Sequence, residues 1–224
     1  MGKKDIEPFD RHALLGNPKL VHDVFNHDLN YLPSNTDPSF KKIQNGFRCR
    51  EEYIEHFGFA LFNQEFLSEM DDVFKKKDIN NFFEVGAGHG SLTKLLLDIG
   101  LEGNAITYEI IDKTKGWGLS KSPIYNTLLV KGSLCLGNMK SVSNENYDMI
   151  TISWVPDSNE QDYITFFKNN PNHDWILSIN EEGGCTGGPD FWEYINSNYT
   201  QEHLFDSYKS FDGLWDKAIL YKKI

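Results

Sequence analysis

Hydrophobic positions along the chain fall into two textures that meet near Asn80. From Glu51 to about Lys77, Tyr53, Ile54, Phe57, Ala60, Leu61, Phe66, Leu67, Met70 and Val73 recur near helical spacing. Gly58 and Asn63 interrupt that run, which predicts two helices in place of one. After Asn80, short apolar runs alternate with amphipathic stretches. Strands are predicted at Phe82–Val85, Ala105–Ile111, Thr127–Lys131, Asp148–Trp154 and Trp175–Ile179. Helices are predicted at Ser91–Ile99, closed by Gly100, and at Asp162–Asn169 and Asp190–Asn196. Two last strands, Leu204–Tyr208 and Ala218–Tyr221, would be joined by a turn at Asp212-Gly213. Such alternation predicts an α/β fold, with a mostly parallel seven-stranded sheet covered by helices on both faces. Residues 1–45, rich in Asp, Asn, Pro and Lys, read as short helices and loops wrapped on that body. The expected division is an N-terminal helical extension or lid over residues 1–79 and an α/β domain over residues 80–224.

Composition narrows the function classes. A hydrophobic share of 39%, 14% of the chain being aromatic, supports a packed core across 224 residues and excludes wholesale disorder. Acidic residues outnumber basic ones 33 to 22, a net charge of -11, so a phosphate backbone is repelled and no direct nucleic-acid partner is expected. No apolar run approaches the roughly 18 residues that span a bilayer, and no signal-peptide core follows Met1. Cys49, Cys135 and Cys185 are odd in number and lack C-x-x-C spacing, which argues against a disulfide framework and a zinc ribbon. A cytoplasmic location, no membrane partner and no metal site are the expectations.

The most informative stretch is Phe82-Phe83-Glu84-Val85-Gly86-Ala87-Gly88-His89-Gly90-Ser91-Leu92. A strand enters three alternate glycines and a helix leaves, a geometry that brings backbone N–H groups and a helix amino terminus to a ligand. A dinucleotide fingerprint, G-x-G-x-x-G, would place its third glycine at Ser91; here it stands at Gly90. Glu84, inside the strand end, disfavours a pyrophosphate and suits a cation. At these residues the chain resembles the class I S-adenosylmethionine-dependent methyltransferases, whose first motif is an acid followed by x-G-x-G-x-G. The resemblance covers approximately Asn81–Ile224. It implies a Rossmann-like methyltransferase fold and S-adenosyl-L-methionine as cofactor, held at Glu84, Gly86, Ala87, Gly88, His89 and Gly90. It also implies that Glu109, followed by the apolar Ile110, ends the second strand and accepts the ribose hydroxyls, at about the 20-residue interval of a ribose-binding acid. The other reading of Glu109 is a solvated surface acid. Where the family often has an acid after its third strand, this chain offers Ser133-Leu134 to the adenine.

Candidate chemistry follows the fourth and fifth strands. Ile152-Ser153-Trp154-Val155-Pro156-Asp157 departs from the D/N-P-P-aromatic motif of amino-group methyltransferases, keeping one proline. Ser153 would approach the cofactor and Trp154 would stack on adenine or acceptor. Asp157 either takes a proton or simply caps the helix that begins near Glu160. Asn180-Glu181-Glu182-Gly183-Gly184-Cys185-Thr186-Gly187-Gly188 reads either as a loop closing over substrate, with Glu181 as a base, or as a flexible surface loop. Cys185 has no neighbouring His or Lys to activate it. Arg50, Tyr53 and Phe57-Gly58-Phe59 either wall the site or belong to the core. The leading expectation is methyl transfer to a small molecule or a protein side chain. The alternatives are a catalytically silent protein on the cofactor fold and, disfavoured by Ser91 and Glu84, a nucleotide-dependent oxidoreductase.

Overall fold

A computed structural model describes residues 18–25, 29, 31–88, 90–107, 134–136 and 146–224. Four helices precede the sheet: α1 (Pro18–Phe25), α2 (Pro38–Asn45), α3 (Phe47–Phe57) and α4 (Gln64–Lys77). The predicted break in the 51–77 run is real. Gly58, at φ 92, ends α3, and Asn63 opens α4 by accepting a 2.8 Å hydrogen bond from the Phe66 N–H.

The elements β1 (Asn81–Val85), α5 (Ser91–Asp98), β2 (Glu102–Thr107), β3 (Leu134–Leu136), β4 (Met149–Ser153), α6 (Glu160–Asn169), β5 (Trp175–Asn180), α7 (Pro189–Asn198), β6 (Tyr199–Leu204) and β7 (Lys217–Lys223) follow. They build one seven-stranded sheet in the order β3-β2-β1-β4-β5-β7-β6. The first five strands run parallel, and β7 enters antiparallel between β5 and β6. Strand alternation sorts side chains to two cores. Phe82, Met149, Leu177 and Leu220 face a cluster with Phe66, Met70 and Phe74 of α4, Leu92 and Leu96 of α5, and Val21, Phe40, Tyr53 and Phe57 from the first three helices. Phe83, Val85, Ile150, Ile152 and Ile219 face the opposite cluster with Phe166 and Phe167 of α6 and Phe191 and Ile195 of α7. Helices therefore cover both faces, as the alternation predicts.

Two strand positions differ from expectation. The strand beside β2 is Leu134–Leu136, with Ala105 opposite Leu134 and Thr107 opposite Leu136. The stretch predicted for it, residues 127–131, lies outside the described residues, as do 108–111 at the end of the predicted second strand. The sixth strand is Tyr199–Leu204 and not Leu204–Tyr208. Its residues are mostly polar because it is an edge strand, with Thr200, Gln201 and Glu202 exposed. The apolar signal that follows belongs to core-filling loop residues: Phe205 and Tyr208 are buried against α4. Among the described residues no helix is long and apolar enough to cross a membrane, and no group of three His, Cys, Asp or Glu side chains is placed to hold a metal.

Candidate functional site

The loop after β1 is pinned from below. The N–H groups of Gly86 and Ala87 both donate to the Ile106 carbonyl of β2, at 2.9 and 3.0 Å. Gly86, Gly88 and Gly90 have φ values of 72, 53 and 77, a left-handed region that side chains resist. Their surroundings differ. A Cβ on Gly86 would lie 2.2 Å from the Tyr163 hydroxyl, so that glycine admits a buried tyrosine of α6. A Cβ on Gly88 would meet nothing within 4 Å. Gly88 therefore borders open space, a cavity of about 340 Å³ at the carboxyl ends of β1 and β4. That is where an open parallel sheet places its ligands.

Glu84 forms the cavity's floor. It is 2% exposed and lies between Ala105 of β2 and Thr151 of β4. Burial pushes its carboxyl up to about 7, against the opposing effect of hydrogen bonds from Thr93, whose Oγ1 donates to Glu84 Oε2. An acid poised near neutrality in a cavity ionises readily when a cation arrives. Ser91 Oγ in the cavity, and Thr151 Oγ1 on the strand beside Glu84, are buried without a hydrogen-bond partner among the described residues. Ser91 lines the cavity in the first turn of α5, whose cap, Gly90, brings no side-chain hydrogen bond.

Walls come from two other segments. Phe57, Gly58, Phe59, Ala60 and Phe62, from the α3–α4 junction, face Ser153, Trp154, Pro156, Asn159 and Tyr163. Trp154 is held in an unusual pose. Its φ is 53, its ring stacks on Phe59 at 4.8 Å between centroids, and its N–H donates to the Ile179 carbonyl at 2.9 Å. Trp154 Nε1 and Asp216 Oδ1 are both buried without a well-formed bond among the described residues, yet the indole lies close enough to help lower the Asp216 carboxyl that burial raises. The other Asp216 oxygen accepts from the Tyr208 hydroxyl.

Several expected site residues stand elsewhere. Asp157 is exposed in a 3₁₀ turn (Asp157–Asn159) and does not line the cavity, although Asn159, two residues on, does. Glu181 is buried, but its Oε2 accepts from the Cys185 N–H at 2.9 Å and its Oε1 from the Trp215 N–H at 3.0 Å. Both oxygens thus hold backbone, not substrate. The glycine-rich loop after β5 is fastened by a Pro156–Thr186 bridge and by the Gly187 N–H on the Val155 carbonyl, so the picture of an overhanging lid is not what the structure shows. Leu134 opens β3, so the carboxyl end of that strand is at Leu136 and not at Ser133-Leu134. His89, Glu109, Ile110 and Ser133 lie outside the described residues. Tyr53 and Arg50 belong to the core side: Tyr53 donates to the Ala60 carbonyl and Arg50 lies over the Phe211 ring.

Sequence reasoning did not single out Tyr163, Asn159, Thr93 or Thr151. Thr151 sits beside Glu84 only through strand register, and Tyr163 reaches Gly86 from a helix 77 positions further on, so neither carries a local signal.

Neither a protein-family model nor a curated protein sequence matches the chain. The fold does have solved counterparts. An S-adenosylmethionine-dependent methyltransferase from Clostridium acetobutylicum superposes with a TM-score of 0.52 at 11% identity, covering 77% of this chain and 96% of that one. This is the class I methyltransferase fold. Other matches, with TM-scores under 0.5, are the magnesium protoporphyrin IX methyltransferase of Synechocystis with bound SAH (TM-score 0.46, 10% identity, 72% of this chain and 83% of that one) and the N-methyltransferase NodS of Bradyrhizobium japonicum (0.45, 11%, 71% and 97%). At such identities the likeness establishes the methyltransferase architecture and leaves the site to be argued from its own residues.

Proposed function

We propose that the chain is an S-adenosyl-L-methionine-dependent methyltransferase whose acceptor is a small molecule or a protein side chain. One observation carries this: a buried carboxylate, Glu84, stands beneath the open space at Gly88 in a cavity that has no basic side chain among its described lining residues. The donor set suits a cationic nucleoside and would repel a pyrophosphate. Glu84 and the unpartnered Ser91 hydroxyl would receive the amino-acid end, with Gly86, Ala87, Gly88, His89 and Gly90 passing beside it. Ser153 would close the opposite side. Glu109 and Ile110 would hold the ribose. Bound there, the cofactor supplies a methyl group already activated by its sulfonium.

The protein's share is alignment and exclusion of water. Trp154, fixed by Phe59 and the β5 backbone, sets the wall an acceptor would press against. Asn159 and Ser153 offer hydrogen bonds that orient an acceptor's nucleophilic atom. Isothermal titration tests the reading: S-adenosyl-L-methionine should bind and NAD should not. Binding of NAD alone would overturn it. Glu109→Ala should weaken cofactor binding by about 1.5–3 kcal/mol through lost charge-assisted hydrogen bonds; unchanged affinity in the same titration would remove Glu109 from the site.

A second reading, a protein that binds the cofactor without transferring methyl, has one observation in its favour. Asp157 and Glu181, the two carboxylates expected to act as bases, both stand off the cavity. Radiolabelled methyl transfer to fractions of a cell extract separates the two, since the second reading requires binding with no labelled product.

A further inference from the structure

Charge and shape in the cavity point to the kind of acceptor. Its described lining holds five aromatic side chains, Phe57, Phe59, Phe62, Trp154 and Tyr163, against one carboxylate, Glu84. Lys, Arg and His are absent from that lining among the described residues. The cavity of about 340 Å³ also receives the cofactor in the reading above, so an acceptor has only the part walled by Phe59, Trp154, Ser153 and Asn159, which suits a small molecule. We propose that the site takes a small, flat aromatic acceptor, neutral or cationic, and discriminates against anions. The proposal rests on the methyl-transfer reading and deepens it.

Two physical effects act in the same direction. A carboxylate or phosphate brought into this cavity loses water and finds no cation among the described lining residues to replace it, a cost that a neutral ring avoids. Aromatic faces carry negative charge at their centres, so a protonated amine near Phe59, Trp154 or Tyr163 is attracted where an anion is repelled.

Flatness follows from the Phe59–Trp154 pair. These rings lie 23° from parallel, and a planar ligand extends a stack that the protein has already begun. Trp154 is not adaptable. Its left-handed backbone is tied to Ile179, and its indole edge is backed by Asp216, itself gripped by Tyr208. A fixed wall favours rigid planar partners over long flexible ones, because no protein ordering remains to be done on binding. Ser153 and Asn159 then supply the polar contacts that distinguish one atom of the ring system as nucleophile.

The test uses four probes that separate charge from flatness: indole (neutral), tryptamine (cationic), indole-3-acetate (anionic) and n-butylamine (cationic, not flat). Each is titrated into the full chain saturated with S-adenosylhomocysteine, whose own binding is measured first. Indole and tryptamine should bind at least about tenfold more tightly than indole-3-acetate and n-butylamine, about 1.4 kcal/mol or more apart. Phe59→Ala should lower the affinity of both favoured probes about tenfold in the chain kept saturated with S-adenosylhomocysteine, whose own affinity for the variant is measured first. Phe59→Leu, which keeps apolar bulk, guards against a folding loss and should show the same loss of stacking. Equal affinity for indole-3-acetate or n-butylamine, no binding of indole or tryptamine, or indifference to both Phe59 changes would each overturn the proposal. Failure of S-adenosylhomocysteine to bind at all would instead strike the methyl-transfer reading, and the probe order in the unsaturated chain would still decide the acceptor class.

Discussion

Two glycine-rich loops leave the same edge of the sheet, one after β1 and one after β5, and they have opposite characters. After β5, no buried side-chain polar atom of the loop lacks a hydrogen-bond partner among the described residues. Glu181 accepts two backbone N–H groups, the Trp192 indole donates to the Thr186 carbonyl at 3.1 Å, and a Cβ on Gly187 or Gly188 would strike Phe191 or the Glu160 carboxylate. After β1, Gly88 borders empty space, Ser91 Oγ lacks a partner among the described residues, and burial holds the Glu84 carboxyl near 7. Glycine content does not distinguish a binding loop from a packed one. What the loop leaves unsatisfied does, because natural structures rarely keep buried polar groups orphaned without a reason.

The contrast can be broken most forcefully by adding a methyl group to each loop. Gly86→Ala forces a left-handed alanine against the Tyr163 hydroxyl and should cost about 2–4 kcal/mol of stability, with cofactor binding lost in titration. Gly187→Ala, at φ 64 and 2.6 Å from the Phe191 ring, should lower the melting temperature comparably while the folded fraction keeps its cofactor affinity within about twofold. Equal losses of binding in both would erase the distinction between the loops.

A smaller effect is expected at Glu181. Truncation to alanine strands the Cys185 and Trp215 N–H groups and should cost about 1–3 kcal/mol in denaturant unfolding, with cofactor affinity unchanged.

Glu84 sharpens the comparison through pH. Its folded carboxyl titrates near 7 against 4.5 for an ordinary glutamate, so between those values the folded chain holds a proton that the unfolded chain has released. Stability of the ligand-free protein should therefore fall as pH rises from about 4.5 through 7. Affinity for a cationic cofactor should rise over the upper part of that window, as the carboxylate becomes ionised. Thermal melts and titrations of Glu84→Gln should lose both trends. Smallest of all, Asp157→Ala should change stability by less than about 0.5 kcal/mol, and cofactor affinity by less than about twofold, since the side chain is exposed and off the cavity.

Much of the sheet was legible because periodicity reports burial. β1, β4 and β5 are buried on both faces and read as continuous apolar runs, and α3 and α4 break where Gly58 and Asn63 say they should. The third and sixth strands were not legible for the same reason in reverse. Leu134–Leu136 spans three residues, and β6 is polar because its edge faces water, while Phe205 and Tyr208 fill the core as loop. At the site, the glycine pattern announced a turn and Glu84 announced its charge. Asp157 and Glu181 show the limit: both follow strand ends, as catalytic acids do, but only coordinates tell which way a side chain leaves the backbone. Tyr163 and Thr151 join the site through packing and register, which no local window contains.

The apolar cluster on the α4 side has a practical corollary. It runs unbroken from Val21 and Phe40 through Phe66 and Phe74 into Phe82, Leu96 and Leu220. A gene fragment opening at Asn80 would keep only α5 on that side of the sheet, bare the apolar surface that α1–α4 cover, and should come out of expression as insoluble material. Supplied in the same cell as two separate polypeptides, the halves should recover solubility by reassociating through that shared interior.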